Sequence, residues 1–245
     1  MASTSGFVMG TLVFEGDWSE VEKSEVLQLT QNDQFETFKL SKKDSIVMLI
    51  SDSGLKLNFD FDRNKSDYYR KSRKTQEPVI KALGYSHGIR NVIDLTMGLA
   101  IDSVFFAQHG FQVTSIERNS LLHYLAKTSQ ANSVRPELQN IEFVHSDAKE
   151  FLNSYSLNHP TSAYFDPMYP HKKKSALPRQ EMVLFRTLVG ADEDASQTLE
   201  TVLKHDFQRV VVKRPLRAEP LAANVSYSIE SKLVRFDVYV KLGKK

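Results

Sequence analysis

Tyr164-Phe-Asp-Pro-Met-Tyr169 is a segment in which an apolar run stops abruptly at an acid, a proline and an aromatic residue. The pattern predicts a buried strand that ends in a small polar site. In an open α/β sheet, ligands bind in the crevice beyond the carboxyl ends of the strands. We therefore expect Asp166 at the mouth of such a sheet, with Tyr169 beside it. Alternatively, an Asp-Pro pair can simply start a turn after a buried strand.

A rhythm of strand, turn and helix repeats from residue 91 onward. Apolar strand-like segments alternate with helical ones, and residues 225–230 and 234–242 close the chain as two further strand-like segments. This order predicts an α/β fold with a mostly parallel sheet, helices on both faces and a C-terminal antiparallel hairpin. The layout is similar to the class I, Rossmann-like fold of S-adenosylmethionine (SAM)-dependent methyltransferases.

The N-terminal part of the chain has a different pattern, made of short alternating runs. Asp52-Ser-Gly54 separates two of these runs, which predicts an antiparallel hairpin. We expect a small β-rich N-terminal domain (residues 1–62), a basic linker and helix (63–90) and a methyltransferase domain (91–245). The linker helix is expected to begin near Pro78 and to end near Gly84, because proline is favoured in a first turn.

Composition sets the broad class of protein. The 245 residues are 41% hydrophobic and 25% charged, which is typical of a soluble globular chain that can bury a sizeable core. Cysteine is absent, which excludes disulfides, thiolate zinc sites and cysteine nucleophiles, and no metal is expected. The sequence has neither a long apolar run nor a secretory signal at its start, so we expect a cytoplasmic protein without membrane contact.

Acidic residues stand at the ends of four successive predicted strands: Asp94, Glu117, Asp147 and Asp166. After the first strand, Gly98 permits a sharp turn into a helix whose free N–H groups can face a ligand. A carboxylate after the second strand is placed to bind two ribose hydroxyls. Glu117 can also be a solvated charge in a turn, and Asp147 can cap the following helix. The four acids together favour a nucleotide-like cofactor.

The tetrad Asp166-Pro-Met-Tyr169 is typical of sites that hold an exocyclic amine of a nucleobase for methyl transfer. Asp166 and the Pro167 carbonyl can accept hydrogen bonds from the two amine protons, while the ring of Tyr169 stacks on the base. The amine nitrogen then faces an electrophilic methyl group. Asp166, Pro167 and Tyr169 are therefore the candidate catalytic residues.

Three segments are locally cationic although the net charge of the chain is only +2: residues 63–74, 172–179 and 209–217. The last two follow or continue strands that end at the candidate site, which favours contacts with the phosphates of a nucleic acid. The predicted RNA-binding residues are Lys172, Lys173, Lys174, Lys213, Arg214 and Arg217. Each segment can also be a solvated basic face.

Several segments together carry a resemblance to one family. They are the stretch that begins with Asp166-Pro-Met-Tyr-Pro-His-Lys-Lys-Lys174, then Leu188-Val-Gly-Ala-Asp192, Arg209-Val-Val-Val-Lys-Arg-Pro215 and Arg235-Phe-Asp-Val-Tyr239. In their order and spacing they resemble the bacterial family that methylates N2 of a guanine near the 3′ end of 16S ribosomal RNA. The resemblance covers roughly residues 54–241. It implies SAM as the cofactor, and ribosomal RNA or the small ribosomal subunit as the partner.

The resemblance also implies a cofactor site. The family's cofactor positions carry over to Ile101, Asp102, Glu117, Arg118, Asp147, Ala148 and Asp166, and Asp94 and Gly98 complete the predicted set. The family usually has glycine and arginine where this chain has Ala100 and Ile101, so cofactor contacts there must rely on the backbone and on Asp102.

Three functions remain open from the sequence. The first is a guanine-N2 methyltransferase of 16S ribosomal RNA. The second is an N-methyltransferase with the same site that acts on another amine, such as adenine N6 or a protein glutamine. The third is a non-catalytic RNA-binding or assembly protein. The replacements at Ala100 and Ile101 keep this function open.

Overall fold

The computed structural model of the protein describes residues 11–31, 37–62, 77–168, 180–190 and 192–241. By their contacts these residues divide into two compact units. The first contains the described residues within 1–61, 119–133 and 172–190, and the second contains those within 62–118, 134–171 and 191–245. The first half of the predicted linker, residues 63–76, lies outside the described residues, so the predicted domain boundaries stay a prediction.

Eleven strands and seven α-helices are formed within the described residues. The strands are β1 (Leu12–Gly16), β2 (Phe38–Lys43), β3 (Ile46–Ser51), β4 (Lys56–Asn58), β5 (Asn91–Asp94), β6 (Gln112–Glu117), β7 (Ile141–His145), β8 (Thr161–Phe165), β9 (Arg209–Pro215), β10 (Tyr227–Glu230) and β11 (Val234–Val240). The helices are α1 (Glu20–Thr30), α2 (Pro78–Ala82), α3 (Ile101–Gln108), α4 (Ser120–Asn132), α5 (Ala148–Ser154), α6 (Gln180–Val189) and α7 (Ala195–Val202). In the part of the chain that the structure describes, none of the helices is long and apolar enough to cross a membrane.

The first unit is built on a four-stranded sheet in the order β1-β2-β3-β4. Strands β2, β3 and β4 pair antiparallel, and Gly54 between β3 and β4 has a φ of 79°, so the hairpin predicted at residues 52–54 is confirmed. Strand β1 runs parallel to β2, and α1 connects the two in the chain. The alternating pattern missed α1, although Ser19 and Glu22 form a capping box at its start.

The second unit is built on a seven-stranded sheet in the order β10-β11-β9-β8-β5-β6-β7. The pairs among β5 to β9 are parallel, and β11 runs antiparallel to both β9 and β10. The predicted parallel sheet with a C-terminal antiparallel hairpin is therefore confirmed. Strands β5 and β8 are neighbours in the sheet. From β5 the chain continues through β6 to β7 at one edge, and from β8 it continues through β9 toward the other edge. Such a switch in strand order opens a crevice at the carboxyl ends, where Asp94 ends β5 and Asp166 follows β8.

Burial on both faces explains why the central strands have continuous apolar sequences. All five residues of β8 are buried, and so are Val210–Val212 of β9. Ile93 of β5, Phe165 of β8 and Leu199 of α7 belong to one buried cluster. Because protein interiors are close-packed, this cluster holds the carboxyl ends of β5 and β8 in fixed positions beneath the candidate site.

Candidate active site

Asp94 organises the turn that follows β5. The residue is 1% exposed. Its Oδ1 accepts the N–H of Thr96 at 3.0 Å, and its Oδ2 accepts the hydroxyl of Ser103 at 2.5 Å. Burial raises the pKa of Asp94 to about 7, although the hydrogen bonds from Ser103 and Thr96 oppose the shift. The structure thus places this predicted cofactor residue beneath the site, as a support for the turn.

The turn itself uses two residues with positive φ, Gly98 at 52° and Ala100 at 56°. Glycine adopts this region at little cost, whereas an alanine there is strained. Ala100 is fully buried, directly before α3. From the end of β6, Glu117 Oε2 accepts the N–H of Gly98 at 3.0 Å. The turn is therefore formed with an alanine in the place of the family's second glycine.

Three charged side chains meet beyond the sheet, and we call Asp102, Asp166 and Lys213 the acid–lysine cluster. Lys213 Nζ lies 2.8 Å from Asp166 Oδ2 and 2.9 Å from Asp102 Oδ2. The hydroxyl of Tyr164 donates to the same oxygen of Asp102 at 2.6 Å. Asp102 comes from the first turn of α3, Asp166 follows β8 and Lys213 belongs to β9. The cluster thus joins three segments at one side of the crevice.

Two carboxylates share one ammonium in the acid–lysine cluster, so its net charge is −1 when all three groups are ionised. Burial raises the pKa of Asp166, Lys213 lowers it, and Asp102 raises it further. Burial lowers the pKa of Lys213, but Asp102 and Asp166 outweigh this effect and raise it well above its ordinary value. The side chain of Asp166 stays 33% exposed. A ligand can therefore reach a site whose charge suits a cation or a developing positive charge.

The backbone around Asp166 is held by the turn after β5. The N–H of Asp166 donates to Thr96 Oγ1 at 2.8 Å, and the N–H of Leu95 donates to the Tyr164 carbonyl at 2.9 Å. Pro167 is buried. Tyr169 lies outside the described residues, so its stacking role stays a prediction.

Arg118, which directly follows β6, is paired with two acids from the segment before α7. Its Nη2 lies 2.5 Å from Asp192 Oδ1, and its Nη1 lies 3.7 Å from Asp194 Oδ1. The second oxygen of Asp192 accepts the N–H of Met168 at 2.6 Å. Asp194 also pairs with Lys149, at 2.5 Å. The predicted cofactor residue Arg118 is thus connected through Asp192 to Met168 of the predicted catalytic tetrad, and the sequence predicted no role for Asp192.

Asp147 caps the helix that follows β7. Its Oδ1 accepts the N–H of Lys149 at 2.8 Å, and its own backbone is extended. The capping role that the sequence suggested for Asp147 is confirmed. Ala148 is buried at the first position of α5, whereas Ile101 is 56% exposed at the first position of α3. Contacts of these three residues with a cofactor stay predictions.

The predicted RNA-binding residues fall into two groups. Lys172, Lys173 and Lys174 lie outside the described residues. Among the others, Lys213 belongs to the acid–lysine cluster, and Arg214 is 8% exposed and donates to the carbonyl of Glu219. The structure favours roles within the protein for these two side chains over contacts with phosphate. Arg217 is exposed and stays a candidate.

The order of the seven-stranded sheet and the acids at its strand ends define a class I methyltransferase fold. A solved structure of a SAM-dependent methyltransferase from Neisseria gonorrhoeae has the same fold. It aligns with 96% of this chain and 98% of its own, with a TM-score of 0.68 and 24% sequence identity.

Sequence comparisons define the family. A family model for SAM-dependent methyltransferases matches residues 21–241. A ribosomal RNA small subunit methyltransferase J from Bdellovibrio bacteriovorus is 48% identical over 186 residues, which are 75% of this chain and 74% of the relative. One from Thioalkalivibrio sulfidiphilus is 37% identical over 206 residues, 80% of each chain. The chain belongs to this family of SAM-dependent methyltransferases.

The side chains at the strand ends fit SAM chemically. SAM carries a positively charged sulfonium and a ribose with two hydroxyls. The negative acid–lysine cluster suits the cation, and a carboxylate at the end of β6, Glu117, suits the ribose. Glu117 is 5% exposed, and its Oε2 accepts the N–H of Gly98. A ribose hydroxyl bound there would therefore lie close to the glycine turn.

Proposed function

We propose that the protein transfers a methyl group from SAM to the exocyclic N2 amine of a guanine in 16S ribosomal RNA. The observation that carries the proposal is the accessible carboxylate of Asp166, held in a cluster of net negative charge at the switch point of the sheet. The relatives are named as ribosomal RNA small subunit methyltransferases, which supports the RNA substrate. The resemblance of the tetrad supports guanine N2.

Asp166 is the proposed partner of the reacting amine. Lys213 holds its Oδ2 at 2.8 Å, so the carboxylate has a fixed orientation at the end of β8. One N–H of the amine donates a hydrogen bond to Asp166, and the other donates one to the Pro167 carbonyl. These two bonds favour a pyramidal nitrogen and stabilise the positive charge that develops on it.

The reaction needs little from a general base. The lone pair of a guanine amine is delocalised into the ring, so correct positioning and the exclusion of water supply most of the acceleration. Bound SAM supplies the electrophilic methyl group. After transfer, the amine nitrogen is positively charged and loses its proton readily to water.

Tyr169 and the basic residues are proposed to hold the RNA. Stacking of the guanine on Tyr169 contributes on the order of 1–3 kcal/mol per base, and a paired guanine would first have to leave its helix. Lys172, Lys173, Lys174 and Arg217 are the proposed phosphate contacts. The small ribosomal subunit as the assembled partner and a cytoplasmic location follow from this substrate.

Glu117 is proposed to bind the ribose of SAM, and Ile101, Asp102, Asp147 and Ala148 are proposed to complete the cofactor site. The negative charge of Asp102 favours the cationic cofactor over its neutral product, S-adenosylhomocysteine. Asp94 and Gly98 act beneath them by shaping the turn.

Mass mapping of the product tests the proposal. Purified protein is incubated with SAM and with 16S RNA or small subunits that lack the modification, and the RNA is then digested. We expect one added methyl group, on N2 of a single guanine. A methyl group on adenine N6, or transfer to a protein glutamine under the same conditions, would contradict the substrate. A protein that binds SAM tightly but methylates neither RNA nor subunits would contradict the activity.

A further inference from the structure

Asp192 lies between Arg118, a predicted cofactor residue, and Met168, a residue of the tetrad that is proposed to hold the reacting amine. Its Oδ2 accepts the N–H of Met168 at 2.6 Å, and its own N–H donates to the Met168 carbonyl at 3.4 Å. Met168 lies inside the tetrad, between Pro167 and Tyr169. Asp192 therefore binds both backbone polar groups of Met168, the third residue of the tetrad, which restrains the direction in which the chain leaves β8.

The other oxygen of Asp192 pairs with Arg118, a predicted cofactor residue. Oδ1 lies 2.5 Å from the guanidinium of Arg118. The residue before Arg118 is Glu117, the proposed ribose ligand, which also binds the N–H of Gly98. A continuous series of hydrogen bonds and chain neighbours thus connects the glycine turn to the tetrad through this one carboxylate.

Burial and charge make these bonds stronger than ordinary surface contacts. The side chain of Asp192 is 15% exposed, against 33% for Asp194 and 40% for Arg118. Hydrogen bonds to an ionised acceptor are roughly twice as strong as neutral ones. Asp194 pairs with Arg118 and Lys149 and makes no described hydrogen bond to Met168. It therefore serves as a matched control in the same segment.

We propose that Asp192 is a positioning residue for methyl transfer. It fixes the backbone of the tetrad at Met168 and anchors it to Arg118, so that Asp166 and the Pro167 carbonyl meet the amine in the reactive geometry. This inference rests on the proposed function of the site. In this proposal Arg118 has a structural role, because it pairs with Asp192 in addition to any contact that it makes with the cofactor.

Single-turnover methyl transfer at saturating RNA, with calorimetry of S-adenosylhomocysteine binding, tests the proposal. Loss of the restraint in Asp192→Ala should slow transfer by about tenfold to a hundredfold, because a small misplacement of reacting groups is that costly. Cofactor affinity should hardly change. Asp192→Asn keeps an acceptor for the Met168 N–H and should recover much of the rate. Asp194→Ala should stay within about fivefold of wild type, because the ion pairs of Asp194 are partly exposed and such pairs contribute little.

Amide hydrogen exchange at Met168 gives a second measurement that does not depend on the folding of a variant. The Met168 amide should be protected in the wild-type protein. The proposal is overturned if that amide exchanges like a free one, or if Asp192→Ala and Asp194→Ala have equal rates. An inactive wild-type protein would contradict the proposed function, whereas an active wild type with an equally active Asp192→Ala variant contradicts the role of Asp192 alone.

Discussion

At the scale of single residues, Lys213 influences the ionisation of Asp166. The variant Lys213→Met keeps the approximate length of the side chain and lacks the ammonium that Asp102 and Asp166 share. Since Lys213 lowers the pKa of Asp166 and burial raises it, the pKa of Asp166 rises further in the variant. Methyl transfer that requires ionised Asp166 should then lose rate at acidic pH, and the acidic limb of the pH–rate profile should move to higher pH.

Single-turnover rates measured between about pH 5 and pH 9 show this shift directly. Lys241→Met is the control, because Lys241 pairs with the exposed Asp206 and lies outside the cluster. An acidic limb at the same pH in Lys213→Met and wild type would show that Lys213 does not influence the reacting carboxylate.

Asp94 makes the stability of the protein depend on pH. Burial raises its pKa from 3.8 to about 7 in the folded state, so between these values the folded protein binds a proton that the unfolded chain does not. The free energy of unfolding should therefore fall as the pH rises from about 4 to about 7. At about 1.4 kcal/mol per pKa unit, the upper limit of this loss is on the order of 4 kcal/mol.

Asp94→Asn removes the titration and keeps an acceptor oxygen for the Thr96 N–H. Unfolding midpoints should then be less sensitive to pH, and the variant should gain stability relative to wild type above pH 7. Measurements in denaturant at several pH values, with Asp206→Asn as the exposed control, test this. An equal pH dependence in Asp94→Asn and wild type would mean that Asp94 does not carry it.

The sequence predicted the acids of the site but not their partners. Asp94, Glu117 and Asp166 were found because each stands at the end of a predicted strand or directly after it. The roles of Thr96, Tyr164 and Asp192 were missed, because a hydroxyl or a carboxylate that binds a distant backbone group has no periodic signal. Lys213 was predicted to bind RNA, since its neighbours in sequence are basic; only the pairing of β8 with β9 brings it to Asp166.

At the scale of elements, the turn between α2 and β5 contains two glycines. Their backbone conformations are alike, but their surroundings differ. Gly84 and Gly88 have φ values of 80° and 83°. A Cβ on Gly84 would lie 2.8 Å from both Arg209 Nε and Ile89 Cδ1, whereas a Cβ on Gly88 would meet nothing within 4 Å. Arg209 cannot yield easily, because it is 8% exposed and hydrogen-bonded to the Tyr227 hydroxyl.

Gly88→Ala should therefore lower the free energy of unfolding by about 1–2 kcal/mol, the backbone strain of an alanine in the left-handed region. Gly84→Ala should lower it by about 1–3 kcal/mol more, because the added methyl group overpacks its surroundings. Denaturant unfolding of both variants measures the difference. Equal losses would indicate that Arg209 and Ile89 move aside freely.

The strands and helices between residues 91 and 165 were predictable because short strand-like segments rich in apolar residues alternate there with turn residues and helical segments. Helix α1 was not predicted, and its burial explains why. Only Val26 and Thr30 are buried in it, so its sequence lacks the apolar stripe that indicates a helix. The capping box at Ser19 and Glu22 and the acidic first turn were the local signals for it.

At the scale of the whole molecule, each compact unit combines segments that are far apart in sequence. Helices α4 and α6 group by their contacts with the four-stranded sheet of the first unit, although they follow strands β6 and β8 in the chain. A linear pattern of composition cannot encode such a grouping. The parallel pairing in the second unit was predictable, because strands that alternate with helices along the chain favour a parallel sheet.

The negative charge of Asp166 is the feature on which the proposed methyl transfer depends most. The charge is removed in Asp166→Asn, which keeps the size of the side chain and one acceptor oxygen. Single-turnover transfer to 16S RNA or small subunits that lack the modification measures its effect most directly. We expect the rate to fall by about a hundredfold or more, as for the loss of a preorganised electrostatic contact, while RNA affinity and stability stay close to wild type. A rate near that of the wild type would show that this charge is not needed for transfer and that Asp166 is only a turn residue, because Asn forms turns about as well as Asp.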